Sequence, residues 1–206
     1  MSKGRIVVVG VGGHATSCID VIEQQNLYEI FGLIGMPEEI NSKKYGYPVI
    51  GTDLDLDEVR VGCENAAIGV GQIKSPATRM KIYERLCSLG YLLPVIISPR
   101  AYVSPRSSIG AGTIVCHGAV VNAGVSIGEN CIINSGALIE HDSVIGDHCH
   151  ISTATILNGN VKVGDGTFVG SGCVVKQGVE LGANCVIGMN LSVRKNQENF
   201  SRKIGN

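Results

Sequence analysis

Counted in steps of six from Val103, the chain places Val, Ile or Leu at sixteen successive positions, ending at Val193. Neither a helix nor an alternating strand has a period of six, so this beat selects a solenoid of short repeated strands. One hexapeptide makes a flat side and a corner, and three close a triangular coil. Residues about 18 apart then stack at roughly the 4.8 Å strand spacing. The aliphatic of each hexapeptide points into the prism and is often followed by a small residue, as in Ile109-Gly110, Ile127-Gly128, Ile145-Gly146, Val163-Gly164 and Leu181-Gly182. Glycine suits a corner because it tolerates both positive φ and close backbone approach. Nothing interrupts the phase from Ala101 to Asn196, a little over five coils.

Composition fits short, tightly turned strands: 28 glycines, 4 % aromatics and no Trp. A formal charge of −1 points to neither nucleic acid nor a membrane surface as partner. The longest apolar runs, Ile6–Val9 and Leu92–Ile97, are strand-sized, and no signal-peptide pattern precedes the first strand, so the cytoplasm is the expected location. Eight cysteines include no C-x-x-C pair. Cys131, Cys149 and Cys185 share one phase of the repeat, where small wall residues belong, so the cysteines are expected to be reduced and structural.

The first hundred residues read differently. Arg5–Val9 is a buried strand, Gly10–Ala15 a glycine turn, and Thr16–Gln25 a helix with apolar Cys18, Ile19 and Ile22. A second strand near Glu29–Ile34, a loop at Gly46-Tyr47-Pro48, a third strand at Ala66–Val70 and a helix over Pro76–Leu89 follow. This alternation implies a small parallel α/β sheet of Rossmann-like type over residues 1–97, with the solenoid domain over 98–206. The turn fits G-x-G-x-x-A, whose glycines let backbone N–H groups and a helix N-terminus approach a phosphate. The acid that a nicotinamide cofactor wants about twenty residues on is missing from Gly32–Met36, which favours another diphosphate-bearing ligand.

Four of the five histidines lie in the repeat. His117 has no charged neighbour in sequence and reads as an exposed corner residue. Glu140-His141-Asp142 is more specific: Ile139 is the inward position, so His141 falls on the corner side between two carboxylates. A carboxylate that fixes an imidazole's tautomer and stabilises its charged form suits it to general-base work. Gly159 lies eighteen residues beyond His141, one coil above, where a missing side chain leaves room for a thioester and an N–H for an oxyanion.

The repeat resembles the hexapeptide-repeat acyltransferases. The run Asn134-x5-Glu140-His141-Asp142-x-Val144-Ile145-Gly146-Asp147-His148-x-His150-Ile151-Ser152, with the Gly10–His14 turn, is similar to the sugar-acetylating subgroup. That subgroup holds the bacillosamine-pathway and perosamine N-acetyltransferases and the sialic acid O-acetyltransferases. The resemblance covers nearly the whole chain. It implies a left-handed parallel β-helix, a homotrimer with active sites between subunits, acetyl-CoA as co-substrate, no metal, and a place in surface-polysaccharide sugar synthesis. It implies His141 as catalytic base, Asp142 as the acid supporting it, and Gly159 as the amide that meets the thioester carbonyl. His150, Gly159, Ser171 and Met189 would line the CoA site. Val11, Gly12, Gly13, His14, Asn134 and Arg79 would bind the nucleotide sugar, with Arg79 facing phosphate.

Three departures stand out. Ile34-Gly35-Met36 replaces an acidic pair at the end of the second strand, Gly71–Thr78 is longer than usual, and the chain stops at Lys203-Ile204-Gly205-Asn206 without the relatives' Pro-Ala segment. The expected reaction is direct acetyl transfer to the amino group, expected at position 4, of a nucleotide-linked deoxyamino sugar. O-acetylation of a sialic or related nonulosonic acid is the alternative. Two further classes are a zinc enzyme seeded by His148-x-His150, whose alternate side chains face opposite sides of a strand, and a non-catalytic binding protein.

Overall fold

The computed structural model describes residues 3–204. Met1–Ser2 and Gly205–Asn206, where the sequence was read for a leader and a continuation, lie outside the described residues. The N-terminal unit is built from β1 (Gly4–Val9), α1 (Gly13–Gln25), β2 (Tyr28–Ile34), β3 (Lys43–Lys44), β4 (Tyr47–Gly51), α2 (Leu56–Gly62), β5 (Asn65–Ile68) and α3 (Ala77–Ser88). Its sheet has the order β3-β4-β2-β1-β5, parallel except for the β3–β4 hairpin. Of the expected Gly46–Pro48 loop, only Gly46 is in the turn of that hairpin, which is Tyr45–Gly46 with both residues at positive φ as a two-residue hairpin turn requires, whereas Tyr47 and Pro48 belong to β4. Helix α1 starts at Gly13 rather than Thr16, with Gly12 as its N-cap, so His14 lies in the first turn of the helix.

The rest of the chain winds into a left-handed β-helix of three parallel sheets. Pairs such as Val120↔Leu138, Ile127↔Ile145 and Ile132↔His150 step by eighteen residues, as the hexapeptide beat requires. The inward aliphatics fill the prism core, from Val115 to Val193, at 3 % exposure or less. The first strand is Ile96–Ile97, one hexapeptide before Val103 and in phase with it. The last coil is two residues short, because Arg202 pairs with Val186.

The corners divide two jobs that glycine can do. The third residue after each inward aliphatic, from Gly112 to Asn190, is left-handed, with φ between +54° and +76°. Asn130, Asp142, His148 and Ala154 take this conformation as readily in the pattern as Gly118 or Gly136. The glycines directly after the aliphatic do not have positive φ; there the close approach of the next coil excludes a side chain. A Cβ on Gly110 would lie 2.6 Å from a backbone carbon of Gly128, and one on Gly164 2.5 Å from the Ala183 nitrogen.

All eight cysteines are free, and all but Cys87 are buried. Cys131, Cys149, Cys173 and Cys185 donate Sγ–H across the coil to carbonyls at 2.8–3.2 Å, as Thr113, Thr155 and Thr167 do through their hydroxyls. Among the described residues, no helix is long and apolar enough to cross a membrane.

The outward side of the sheet containing Ile96, Ile114 and Ile132 carries these isoleucines in one column. All three are buried against α1, together with Cys18, Ile19 and Ile22. A fully buried isoleucine contributes on the order of 2 kcal/mol, so this column is a strong seat for the helix. His150 is the next residue up the same column. The docking of α1 therefore delivers its N-terminal turn to the level of His150 and leaves Phe168 and Val186, the next two steps, outside the covered zone.

Candidate active site

Three long edges separate the three sheets, and the candidate residues fall on two of them. His141 and Asp142 occupy the corner after Leu138–Ile139. The left-handed backbone of Asp142 turns its carboxylate back on the preceding ring, and His141 Nδ1 lies 2.9 Å from Asp142 Oδ2. A carboxylate accepts, so Nδ1 carries the proton and Nε2 presents a lone pair. Glu140 does not join them: its Oε2 accepts from Asn122 Nδ2 at 3.1 Å. A Cβ placed on Gly159 would sit 2.7 Å from His141 Nε2, so the missing side chain is what lets the imidazole lie against this coil. The ring is 59 % exposed. Among the described residues the buried Gly159 N–H meets no protein acceptor.

A different edge, after Ile132–Ile133, carries two adjoining cavities. One, of about 430 Å³, is lined by Gly13, His14 and Ser17 of α1, by Gly71–Ile73, and by Asn134 and His150. The other, of about 530 Å³ and largely apolar, runs up the same edge past Ser152, Phe168 and Ser171 to Met189. Asn134, His150 and Ile73 belong to both. Thus Gly13, His14, Asn134, His150, Ser171 and Met189 gather along one edge, whereas His141, Asp142 and Gly159 stand on the neighbouring edge. Ser152, Phe168, Gly170 and Gly188 were missed, although steps of eighteen from Asn134 and His150 reach every one of them. Gln72 and Ile73 come from the long Gly71–Thr78 segment, which no repeat arithmetic reaches.

The PglD N-terminal domain family matches residues 5–86, and two hexapeptide families, bacterial transferase hexapeptide and the hexapeptide repeat of succinyl-transferase, match 124–159 and 160–195. Comparison with curated proteins finds no match. Among solved structures, PerB from Caulobacter crescentus, in complex with CoA and GDP-perosamine, is 31 % identical over 99 % of this chain and 95 % of its own, with a TM-score of 0.91. The chain belongs to the hexapeptide-repeat sugar acetyltransferases. A second member, the acetyltransferase domain of PglB from Neisseria gonorrhoeae in complex with acetyl coenzyme A, is 27 % identical over 99 % of this chain and 97 % of its own, with a TM-score of 0.90.

In this acetyltransferase two sequence expectations need correction. Arg79 is 1 % exposed, and its guanidinium donates to the carbonyls of Ile68, Val70, Asn130 and Gly112. It ties β5 to two corners of the prism, with no N–H group turned to a phosphate. His117 is no free corner residue either: its Nε2 lies 2.7 Å from Asp20 of α1 and its Nδ1 2.6 Å from Ser98. Of the turn residues, Val11 and Gly12 offer their carbonyls to the Lys44 ammonium. His148 and His150 have different partners, Asn130 and Gln72, and among the described residues no three His, Cys, Asp or Glu side chains form a metal-sized group.

Two imidazoles at the first cavity are held neutral. Burial, then the Arg79 cation, then His150 push His14 down to about 3. Burial, assisted by Arg79 and opposed by the Gln72 hydrogen bond, pushes His150 down to about 4. In the unfolded chain both take a proton near 6.5. Their neutral burial is therefore fully tolerated above pH 6.5, and stability is lost as pH falls towards 4. Between pH 7 and 4.5 each group should cost roughly 2 kcal/mol of stability. Thermal unfolding at the two pH values should show a smaller acid loss in His150→Phe than in the wild type. Equal losses would mean that His150 is not buried as the neutral form.

Proposed function

We propose that this acetyltransferase moves the acetyl group of acetyl-CoA directly to the 4-amino group of a nucleotide-linked deoxyamino sugar, with His141 as general base. The observation that carries the reading is the Asp142–His141–Gly159 arrangement. One carboxylate fixes the tautomer, Nε2 is free to take the ammonium proton as the amine attacks, and a buried N–H lies one coil away for the oxyanion. The similar structures, with acetyl coenzyme A bound in one and CoA and GDP-perosamine in the other, support both substrates. The apolar cavity from His150 to Met189 has the length and lining for the pantetheine arm, and the cavity at Gly13 and His14 lies at a helix N-terminus suited to a phosphate.

The working unit in this reading is a trimer. The sheet between the two edges carries Tyr102, Val120, Leu138, Ile156 and Val174 in one outward column, exposed at Tyr102 and Val174 and half-buried between them. Three prisms with this face turned to a common axis bring the His141 edge of one copy against the cavity edge of the next. That juxtaposition unites the base with the acetyl donor, which one chain alone keeps apart.

The test is incubation with [14C]acetyl-CoA and UDP-, GDP- and CMP-linked amino sugars, followed by mild alkali. Label that survives alkali is an amide and supports the proposal. Label released as acetate is an ester and moves the enzyme to O-acetylation, and no transfer to any sugar removes the reading.

A further inference from the structure

Asn134 and His150 sit where the two cavities meet, and their hydrogen bonds can be oriented from both ends without ambiguity. The Ser135 backbone N–H can only donate, and it lies 2.8 Å from Asn134 Oδ1. That fixes the amide's orientation and turns Asn134 Nδ2 toward His150 Nε2, at 3.2 Å. At the other end the Gln72 carbonyl can only accept, and it lies 2.7 Å from His150 Nδ1. The proton of the imidazole is therefore on Nδ1, and Nε2 is the acceptor that Asn134 needs. The two assignments were made from opposite ends of the chain of bonds, and they agree. The ring is held in place by edge packing on Phe168, at a centroid distance of 5.2 Å, and is 7 % exposed.

We propose that His150 is a positioning residue: it locks the Asn134 amide so that its second N–H points into the junction of the cavities and binds an oxygen of the acceptor sugar beside the reacting amine. This deepens the acetyltransferase reading and rests on it. With Oδ1 turned to the Ser135 N–H and one N–H to His150, the second N–H is the group of the amide that faces the junction. The junction therefore selects an acceptor with a hydroxyl or ring oxygen at that place and rejects one with a cation or an apolar group there. The same geometry leaves His150 neither nitrogen for acetyl-CoA, since both are already engaged within the chain. A free rotation of the Asn134 amide would present donor and acceptor indifferently; the Ser135 N–H restrains it at Oδ1, and the Gln72 carbonyl of Gly71–Thr78, acting through His150, restrains it at Nδ2.

The experiment compares wild type, His150→Phe, Asn134→Ala and the double variant by steady-state kinetics on each substrate, with CoA binding measured by calorimetry. His150→Phe keeps the packing on Phe168 and removes both hydrogen bonds. It should raise KM for the acceptor about tenfold, leave CoA affinity within about threefold, and add nothing further when Asn134 is already Ala. Loss of CoA affinity with an unchanged acceptor KM would overturn the proposal and make His150 a CoA contact, as would additive effects in the double variant. If a variant fails to fold, the wild type still decides: 15N spectra should show His150 Nδ1 protonated and Nε2 as the bare nitrogen, and the opposite tautomer would break the lock. A wild-type enzyme that acetylates no sugar is a separate result, which sinks the acetyltransferase reading and leaves the spectrum to judge the hydrogen-bond chain.

Discussion

His141→Ala should lower kcat by a factor of about 10²–10⁴ while the prism keeps its fold. The side chain can be removed with little structural cost. It is 59 % exposed, among the described residues its only polar partner is the similarly exposed Asp142, and the corner's left-handed residue is Asp142, which stays. The loss should fall on kcat rather than on KM for acetyl-CoA, because the base acts on a proton released as the amine attacks, whereas the cofactor is held by the apolar cavity of the neighbouring copy. Asp142→Asn should also lower kcat, by up to about 10⁴-fold where the amide flips and imposes the wrong tautomer, because an amide carries no charge to balance the imidazolium. Circular dichroism and light scattering would verify fold and assembly, and initial rates with saturating acetyl-CoA would read the effect. Turnover within a few-fold of wild type in His141→Ala would remove the base from the mechanism and leave the paired motif without a chemical role.

Periodicity of six was enough to read the prism, its inward residues and the stacking of Gly159 on His141, because these depend only on counting along one chain. What counting could not decide was why a glycine occurs. Gly110 and Gly164 answer to the backbone of the next coil, whereas Gly118 and Gly136 answer to φ, and both appear as glycine in a hexapeptide. It also could not see partners brought from far along the chain. Asp20 reaches His117 across 97 residues, and Gln72 reaches His150 across 78. Arg79 misled for the same reason. An arginine on a helix beside a glycine turn suggests a phosphate until four carbonyls from β5, its following loop and two prism corners are found around it. The grouping of Asn134, Ser152, Gly170 and Gly188 was within reach of the arithmetic that found Gly159, since counting in eighteens from Asn134 reaches all three of the others.

Ile156→Arg should dissociate the proposed trimer and abolish turnover, although it touches neither the base nor the cavities. Ile156 lies mid-column on the exposed apolar sheet, flanked by Leu138 below and Val174 above. Its side chain points away from the prism core, which Leu157 fills, so an arginine there is solvated in a monomer and buried without a partner in the assembly. Sedimentation should give a folded monomer, with acetyl transfer reduced at least 10²-fold because no copy can complete a site alone. A sharper test uses two dead enzymes. His141→Ala lacks the base, and Ser171→Trp fills the apolar cavity, so each trimer is inactive by itself. Co-expressed with different tags and assembled at random, they should recover about one quarter of the wild-type sites, since a site needs its base from one variant and its cavity from the other. No recovery in verified mixed trimers would mean that His141 serves the cavity of its own chain, and the face turned to the axis would have to be another one.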